Sequence, residues 1–421
     1  MKIPGISRRK QRWLRGILSL SLSAALLTAC GSDSDEIVIN LYNAPQQNLS
    51  AIVERCNDLA DGQYRIKLNT LPRDANSQRE QMVRRLAAED TGMDVLGLDV
   101  TWTAELAAAG WIREWTGDNK TQAQAGTLEA PLETARWENK LYAAPSNSNT
   151  QLLWYRQDLV PQPPSTWTEV IQTAEELKDA GLPHYVEVTG AQYEGIVVWF
   201  NSLVVSAGGS ILNEAGTEVE LGDPAVTALQ VMRDFARSAA ADPSLSNTQE
   251  DQARLATEGG SAAMEVIWPF VYPSMLENNP EIAKNFKWAP YPGIDGAGRP
   301  PLGGGNFAIS SYSKNPEQAF SAALCLRDPE SQLISATKDG LPPTIEEVYQ
   351  RPEMVEAYPM RDAILDSIKR SAPRPVTPVY QNISTVTAAV ISPPRSISPQ
   401  STEEKLRDQI GDALESKGIL P

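Results

Sequence analysis

The sequence predicts an α/β protein built as two lobes with a hinged cleft between them. Three observations carry this reading. From Glu36 onward, short β-rich runs alternate with longer amphipathic runs in β-α-β-α-β order, which gives a lobe on a mostly parallel sheet. Setting aside a leader-like stretch of 29 residues leaves 392 of the 421, too many for one ordinary core. Gly- and Pro-rich breaks near 146–149, 302–305 and 341–344 stand where a chain can cross between hinged lobes. Those crossings make both lobes discontinuous: 37–146 with 303–342, and 147–302 with 343–421.

Taken in order, "EIVINLY" is a strand by its Ile/Val content, and "NLSAIVERCNDLA" is a helix with Ser50 as its expected N-cap. "QYRIKLNTLP" alternates like a strand, and "NSQREQMVRRLAAED" is helical. "MDVLGLDV" is a nearly continuous apolar strand of the buried parallel kind. "TAELAAAGWIREW" is read as helix and "QLLWYR" as strand, and "QPPSTWTEVIQTAEELKDAG" opens a helix at Ser165 or Thr166. An α-rich second lobe follows. It includes "QARLATEGG", then a buried strand in "MEVIWPF", and "GRPPLGGGNFAISSYS" runs from a Gly/Pro passage into another strand. "NPEQAFSAALCLRD" is a helix, and the tail is helical around the Pro-rich "RSAPRPVTPVYQNI".

The first 29 residues form an export signal. Lys2, Arg8, Arg9, Lys10, Arg12 and Arg15 precede the 13-residue run "ILSLSLSAALLTA", which is shorter than the roughly 20 residues a spanning helix needs. Leu27-Thr28-Ala29-Cys30 reads as a lipobox. There Cys30 takes a diacylglycerol, the preceding peptide is removed, and a further acyl chain such as palmitate joins the new N-terminus. Residues 30–36 are the anchor and tether, and the expected location is the outer face of the cell membrane.

Composition excludes several classes. Six of the 37 basic residues lie in the leader, leaving 31 against 53 acids, a formal charge near −22 that argues against nucleic acid and anionic lipid surfaces. With His184 the single histidine, a two-His zinc site is impossible, and no HExxH or G-x-S-x-G sequence occurs. No cofactor or metal is expected. Apart from Cys30, Cys56 and Cys325 remain, and in an oxidising compartment a disulfide is favoured over two buried thiols.

The stretches "NSNTQLLWYRQDL", "GGSILNEAG", "GSAAMEVIWPF", "APYPG", "GGGNFAIS" and "KDGLPPT" resemble, in this order, the extracellular sugar-binding proteins of ABC importers. "LPRDANSQREQMVRRLA", "DVLGLDVTWTAELAAAGW", "EGIVVWFNSLVVSAGGS", "EVIWPFVYPSMLEN" and "RPVTPVYQ" are more closely similar to the trehalose-binding lipoproteins of actinobacterial importers. The resemblance implies a periplasmic-binding-protein-like fold of type II. It also implies a non-enzymatic monomeric receptor that holds a disaccharide, trehalose first, and delivers it to permease and ATPase subunits. Maltose or another oligosaccharide is the alternative ligand, and a secreted glycoside hydrolase using Asp99 and Glu265 is the alternative from another class.

A sugar needs carboxylates, amides or a guanidinium for its hydroxyls and aromatic planes for its C–H faces. Asp99 ends a buried strand where a parallel sheet opens onto a cleft; its plainer reading is a helix cap. Asn149 lies in the first crossing, or is a loop amide bonded to its own backbone. Glu265 within an apolar strand should meet a ligand or an arginine, and Trp268 stacks on a ring or packs in the core. Arg374, held between prolines, forks onto two hydroxyls, sits at the surface, or partners Glu265. Gly340 and Leu341 offer backbone groups, and Asn43, Glu194 and Tyr380 complete the expected set.

Overall fold

The fold is seen in a computed structural model that describes residues 36–417. The export signal and Cys30 lie outside the described residues. Eleven strands are seen among the described residues: β1 Val38–Asn43, β2 Arg65–Thr70, β3 Val95–Asp99, β4 Arg136–Trp137, β5 Lys140–Leu141, β6 Ala143–Asn149, β7 Leu152–Arg156, β8 Tyr185–Glu187, β9 Ala262–Ile267, β10 Phe286–Ala289 and β11 Gly303–Ile309.

A five-stranded sheet in the order β2-β1-β3-β11-β6 forms the first lobe. β2 and β3 flank β1 in parallel, and β11 inserts antiparallel between β3 and β6. The chain leaves this sheet at Asn149 and enters a second, four-stranded sheet, β10-β7-β9-β8, at Leu152. It comes back at Gly303. The glycine run Gly303-Gly304-Gly305 is therefore part of a strand. Gly304 has φ 129°, and a Cβ there would strike the Asn147 carbonyl at 2.3 Å, so only glycine fits.

Each sheet builds its own core. Ile39, Leu41, Val95, Leu96 and Trp115 gather on the first, joined from late in the chain by Phe307, Ala322 and Leu326. Leu153, Trp199, Phe200 and Phe235 gather on the second, joined by Ile383, Leu406 and Ile410 of the C-terminal helices Tyr380–Ile391 and Pro399–Leu414. A third cluster, with Trp154, Phe286, Leu302, Tyr349 and Tyr358, fills the flank of β7 and β10. Trp102, Trp154 and Trp199 are all buried in these cores.

Helix starts follow side-chain chemistry, with one correction. Asp74 caps helix Ala75–Ala87 by accepting from Ser77 N at 2.8 Å, and Thr166 with Glu169 forms a capping box for helix Trp167–Asp179. Ser50 does not cap the first helix, Leu49–Leu59. Asn48 holds that position, and the distant Asp339 accepts from its backbone N at 3.3 Å and its Nδ2 at 2.6 Å. The helix expected over "TAELAAAGWIREW" is short, Thr103–Ala108, because Gly110 turns the chain at φ 72°.

Cys56 and Cys325 are joined in a disulfide with Cα atoms 5.9 Å apart, tying helix Leu49–Leu59 to helix Pro316–Leu326. The two cysteines are 269 residues apart in sequence, so the bridge restricts most of the unfolded chain. A Cys56→Ser/Cys325→Ser variant should lose about 2–5 kcal/mol of unfolding free energy. Denaturant titration measures this, with reductant added to the wild type as the matching control.

Candidate functional site

Asp99 closes β3, the central strand of the first sheet, and at the same end of the sheet Asn149, the last residue of β6, pairs in register with Gly303 of β11. This carries an acid and an amide to one end. Asp99 Oδ1 accepts from Thr101 N at 3.0 Å and Thr101 Oγ1 at 2.8 Å. This turn fixes the carboxylate without capping a helix.

From the second lobe, helix Glu194–Ser206 presents Glu194 in its first turn. The segment before helix Tyr380–Ile391 carries Arg374, anchored where Asn201 Nδ2 donates to Pro373 O at 3.2 Å. The Arg374 side chain is 3% exposed. Its Nη1 binds Glu194 Oε1 at 2.5 Å and its Nη2 binds Asp99 Oδ1 at 3.3 Å. One guanidinium thus joins a carboxylate of each lobe. Burial alone would lower the Arg374 pKa, but Asp99 and Glu194 raise it above its ordinary value, so the cation is fixed. Tyr380 supports the pair by donating to Glu194 Oε1 at 2.7 Å, and Ser384 donates to Glu194 Oε2.

Asp99, Glu194 and Arg374 line a cavity of about 460 Å³ between the lobes, together with Asn149 and Trp268. The Trp268 ring lies against bare backbone: a Cβ on Gly303 would stand 2.9 Å from its Cη2. Asn149 Oδ1 and Arg374 Nε are buried without protein partners. A second cavity of about 660 Å³ adjoins the first, and both share Pro45, Arg73 and Asp251. Arg73 Nη1 and Asp251 Oδ2 pair at 2.9 Å where the two meet.

Five expected residues therefore come together: Asp99, Asn149, Glu194, Trp268 and Arg374. Leu341 lines the outer cavity. The rest do not line either cavity. Glu265 is completely buried in β9 and meets no arginine; Arg374, its suggested partner, goes to Asp99 and Glu194. Asn43 donates to Ala44 O at 2.9 Å and sits over Gly97, where a Cβ would collide with its Oδ1. Gly340 is the left-handed cap of helix Pro329–Asp339, and Tyr380 stands behind Glu194. With Glu265 enclosed in the sheet, the paired carboxylates of a hydrolase do not assemble with Asp99.

Sequence reasoning missed Gln78, Tyr193, Glu250 and Asp251, which also line the inner cavity. Tyr193 donates to Glu250 Oε2 at 2.7 Å, and burial pushes the carboxyl of Glu250 up, opposed by that bond. The run Gln249-Glu250-Asp251-Gln252 opens helix Glu250–Glu258, with Gln249 N donating to Gln252 Oε1 at 3.2 Å. In sequence it is an ordinary helix start, and nothing marks it as cleft-facing. Among the described residues no cluster of His, Cys, Asp and Glu is placed to hold a metal, and no helix is long and apolar enough to cross a membrane.

The profile of the family described as bacterial extracellular solute-binding protein matches residues 49–332. A probable ABC transporter-binding protein of Deinococcus radiodurans is 27% identical over 333 residues, covering 74% of this chain and 76% of that protein. Among solved structures, the maltose-bound MalE3 of T. maritima is 25% identical with TM-score 0.81, covering 89% of this chain and 99% of that one. The GacH receptor of Streptomyces glaucescens shares the fold at 20% identity and TM-score 0.80, covering 91% and 100%. The match over most of the chain and the two-lobe cleft agree: the chain belongs to the bacterial extracellular solute-binding proteins, receptors that hold a solute without transforming it.

Proposed function

We propose that the protein is a lipid-anchored receptor that binds a disaccharide, trehalose first, and delivers it to the permease and ATPase of an ABC importer. The observation that carries this is the inner cavity. It is lined by the Arg374 guanidinium, the Asn149 amide, the carboxylates of Asp99 and Glu194 and the Trp268 ring, a set matched to a molecule with both hydroxyls and apolar faces. Its lining holds more acids, among them Asp99, Glu194, Glu250 and Asp251, than cations, Arg73 and Arg374. That balance favours a neutral polyhydroxyl ligand over an anionic one.

The ABC assignment draws on the Deinococcus radiodurans relative, and trehalose draws on the long stretches quoted above, such as "LPRDANSQREQMVRRLA". Maltose is the second reading, favoured by the maltose-bound MalE3. Closure moves 37–146 with 303–342 against 147–302 with 343–421, and the closed state gains contacts to both faces of the sugar. Cys30 keeps the receptor at the outer face of the membrane beside its transporter.

Calorimetric titration with trehalose, maltose and sucrose tests the ligand. Binding of trehalose alone is expected; binding of maltose instead would replace the sugar and keep the receptor, and silence for all three would contradict a disaccharide.

Two substitutions separate the cleft from the scaffold. Arg374→Met leaves Asp99 and Glu194 unpaired, so it should cost about 3–5 kcal/mol of stability and abolish binding. Trp268→Ala removes only a half-buried plane, so it should weaken binding about tenfold with little change in melting temperature. Paired melting curves and titrations check both.

A further inference from the structure

Two carboxyl groups lie inside the second lobe with nothing to neutralise them. Glu187 ends β8, Glu265 lies in β9, and the two are register partners on parallel neighbours. They are 2% and 0% exposed, and Glu187 Oε1 and both Glu265 oxygens have no hydrogen-bond partner.

The surrounding charges do not help. Asp242 faces Glu187 from the segment after helix Asp223–Arg237. From helix Glu250–Glu258, Glu258 and Arg254 face Glu265, but Arg254 Nη1 is bound to Glu258 Oε2 at 2.6 Å. The Thr257 hydroxyl on the same helix stands against Glu265 and partly opposes the effect of burial, but its hydrogen bond goes to Ala253 O at 3.2 Å. Across from Glu265 on β7 stands Trp154, with no charge to offer. Two unpaired carboxylates side by side in a sheet would be prohibitively costly, and retained protons remove the charge and with it most of that cost. Burial, and then Asp242, push Glu187 up to about 8; burial pushes Glu265 well above the glutamate range.

The pair lies beneath one wall of the cleft. Helix Glu250–Glu258 packs on β9, its last turn over Glu265 and its first turn on the inner cavity, and β9 runs directly into Trp268. We infer that Glu187 and Glu265 are held as protonated carboxyl groups and that this pair makes ligand affinity pH-dependent, because loss of the protons unseats helix Glu250–Glu258 from β9. The affinity half of this rests on the sugar reading above; the proton-held pair does not. Unfolded glutamates ionise near 4.5, whereas Glu187 holds its proton to about 8. The folded state binds more protons between those values, so stability that is complete below the lower pH is lost as pH rises through the upper one.

The test follows melting temperature and trehalose and maltose affinity of the purified protein from pH 5 to 9.5, beside Glu187→Gln. Wild type should melt lower with rising pH and lose about fivefold or more in affinity between pH 6 and 9. Glu187→Gln should bind as wild type at pH 6 and keep that affinity within about twofold at pH 9. Infrared spectra of the wild type should show a protonated-carboxyl stretch at pH 6 that Glu265→Gln weakens, a readout that stands even if Glu187→Gln fails to fold. Absence of that band, or equal wild-type affinity at pH 6 and 9, overturns the proposal. Binding of neither sugar at any pH would contradict the sugar reading, and the melting and infrared arms would then decide the proton-held pair alone.

Discussion

Arg374 is the cation on which the cleft depends. It is almost wholly buried, always charged, and held between a carboxylate at the end of β3 and another at the start of helix Glu194–Ser206. A buried ion pair contributes little net stability, since desolvation offsets most of the attraction. Its value is geometric. The guanidinium fixes Asp99 and Glu194 of opposite lobes at one point, and Tyr380 and Ser384 stiffen Glu194 from behind. The remaining buried N–H, on Nε, has no partner in the protein.

Specificity follows from the same economy of polar groups. Asn149 Oδ1 and Arg374 Nε are buried and unpaired in the protein, and a polar group left so discriminates against a solute that does not meet it more sharply than lost apolar contact does. Trp268 adds shape. Its ring can approach β11 this closely only because Gly303 has no side chain, and Gly303 and Gly304 line the cavity beside it. At the mouth the Arg73–Asp251 pair is largely exposed, so it contributes about 1 kcal/mol at most and yields easily when the lobes part.

Much of this was legible in the sequence where side chains repeat at a fixed period. β1, β2 and β3 and the helices between them stand where the Ile/Val and amphipathic runs place them. β11 was half legible, because three glycines carry no side-chain pattern and read as a crossing, although they pair with β3 and β6. At the site, Asp99 was picked out at a strand end, Asn149 at a chain crossing, Trp268 after a glycine break and Arg374 between prolines, and all four line the cleft. Glu265 was misplaced by a sound rule with an unstated assumption. A buried carboxylate needs a counter-charge only while it is ionised, and a retained proton lessens the need without any ligand. Glu250 and Asp251 were overlooked for the opposite reason: acids at a helix start are ordinary, and only the three-dimensional position of that helix turns them to the cavity.

The central claim is that one polar solute is gripped by both lobes around Arg374. Hydrogen–deuterium exchange with and without saturating trehalose measures it most directly. The account predicts added protection in segments of both lobes together: 97–103 and 303–306 on one side, and 193–198, 249–252 and 371–376 on the other. Protection confined to one lobe, or unchanged exchange around Arg374 despite measurable binding, would contradict it.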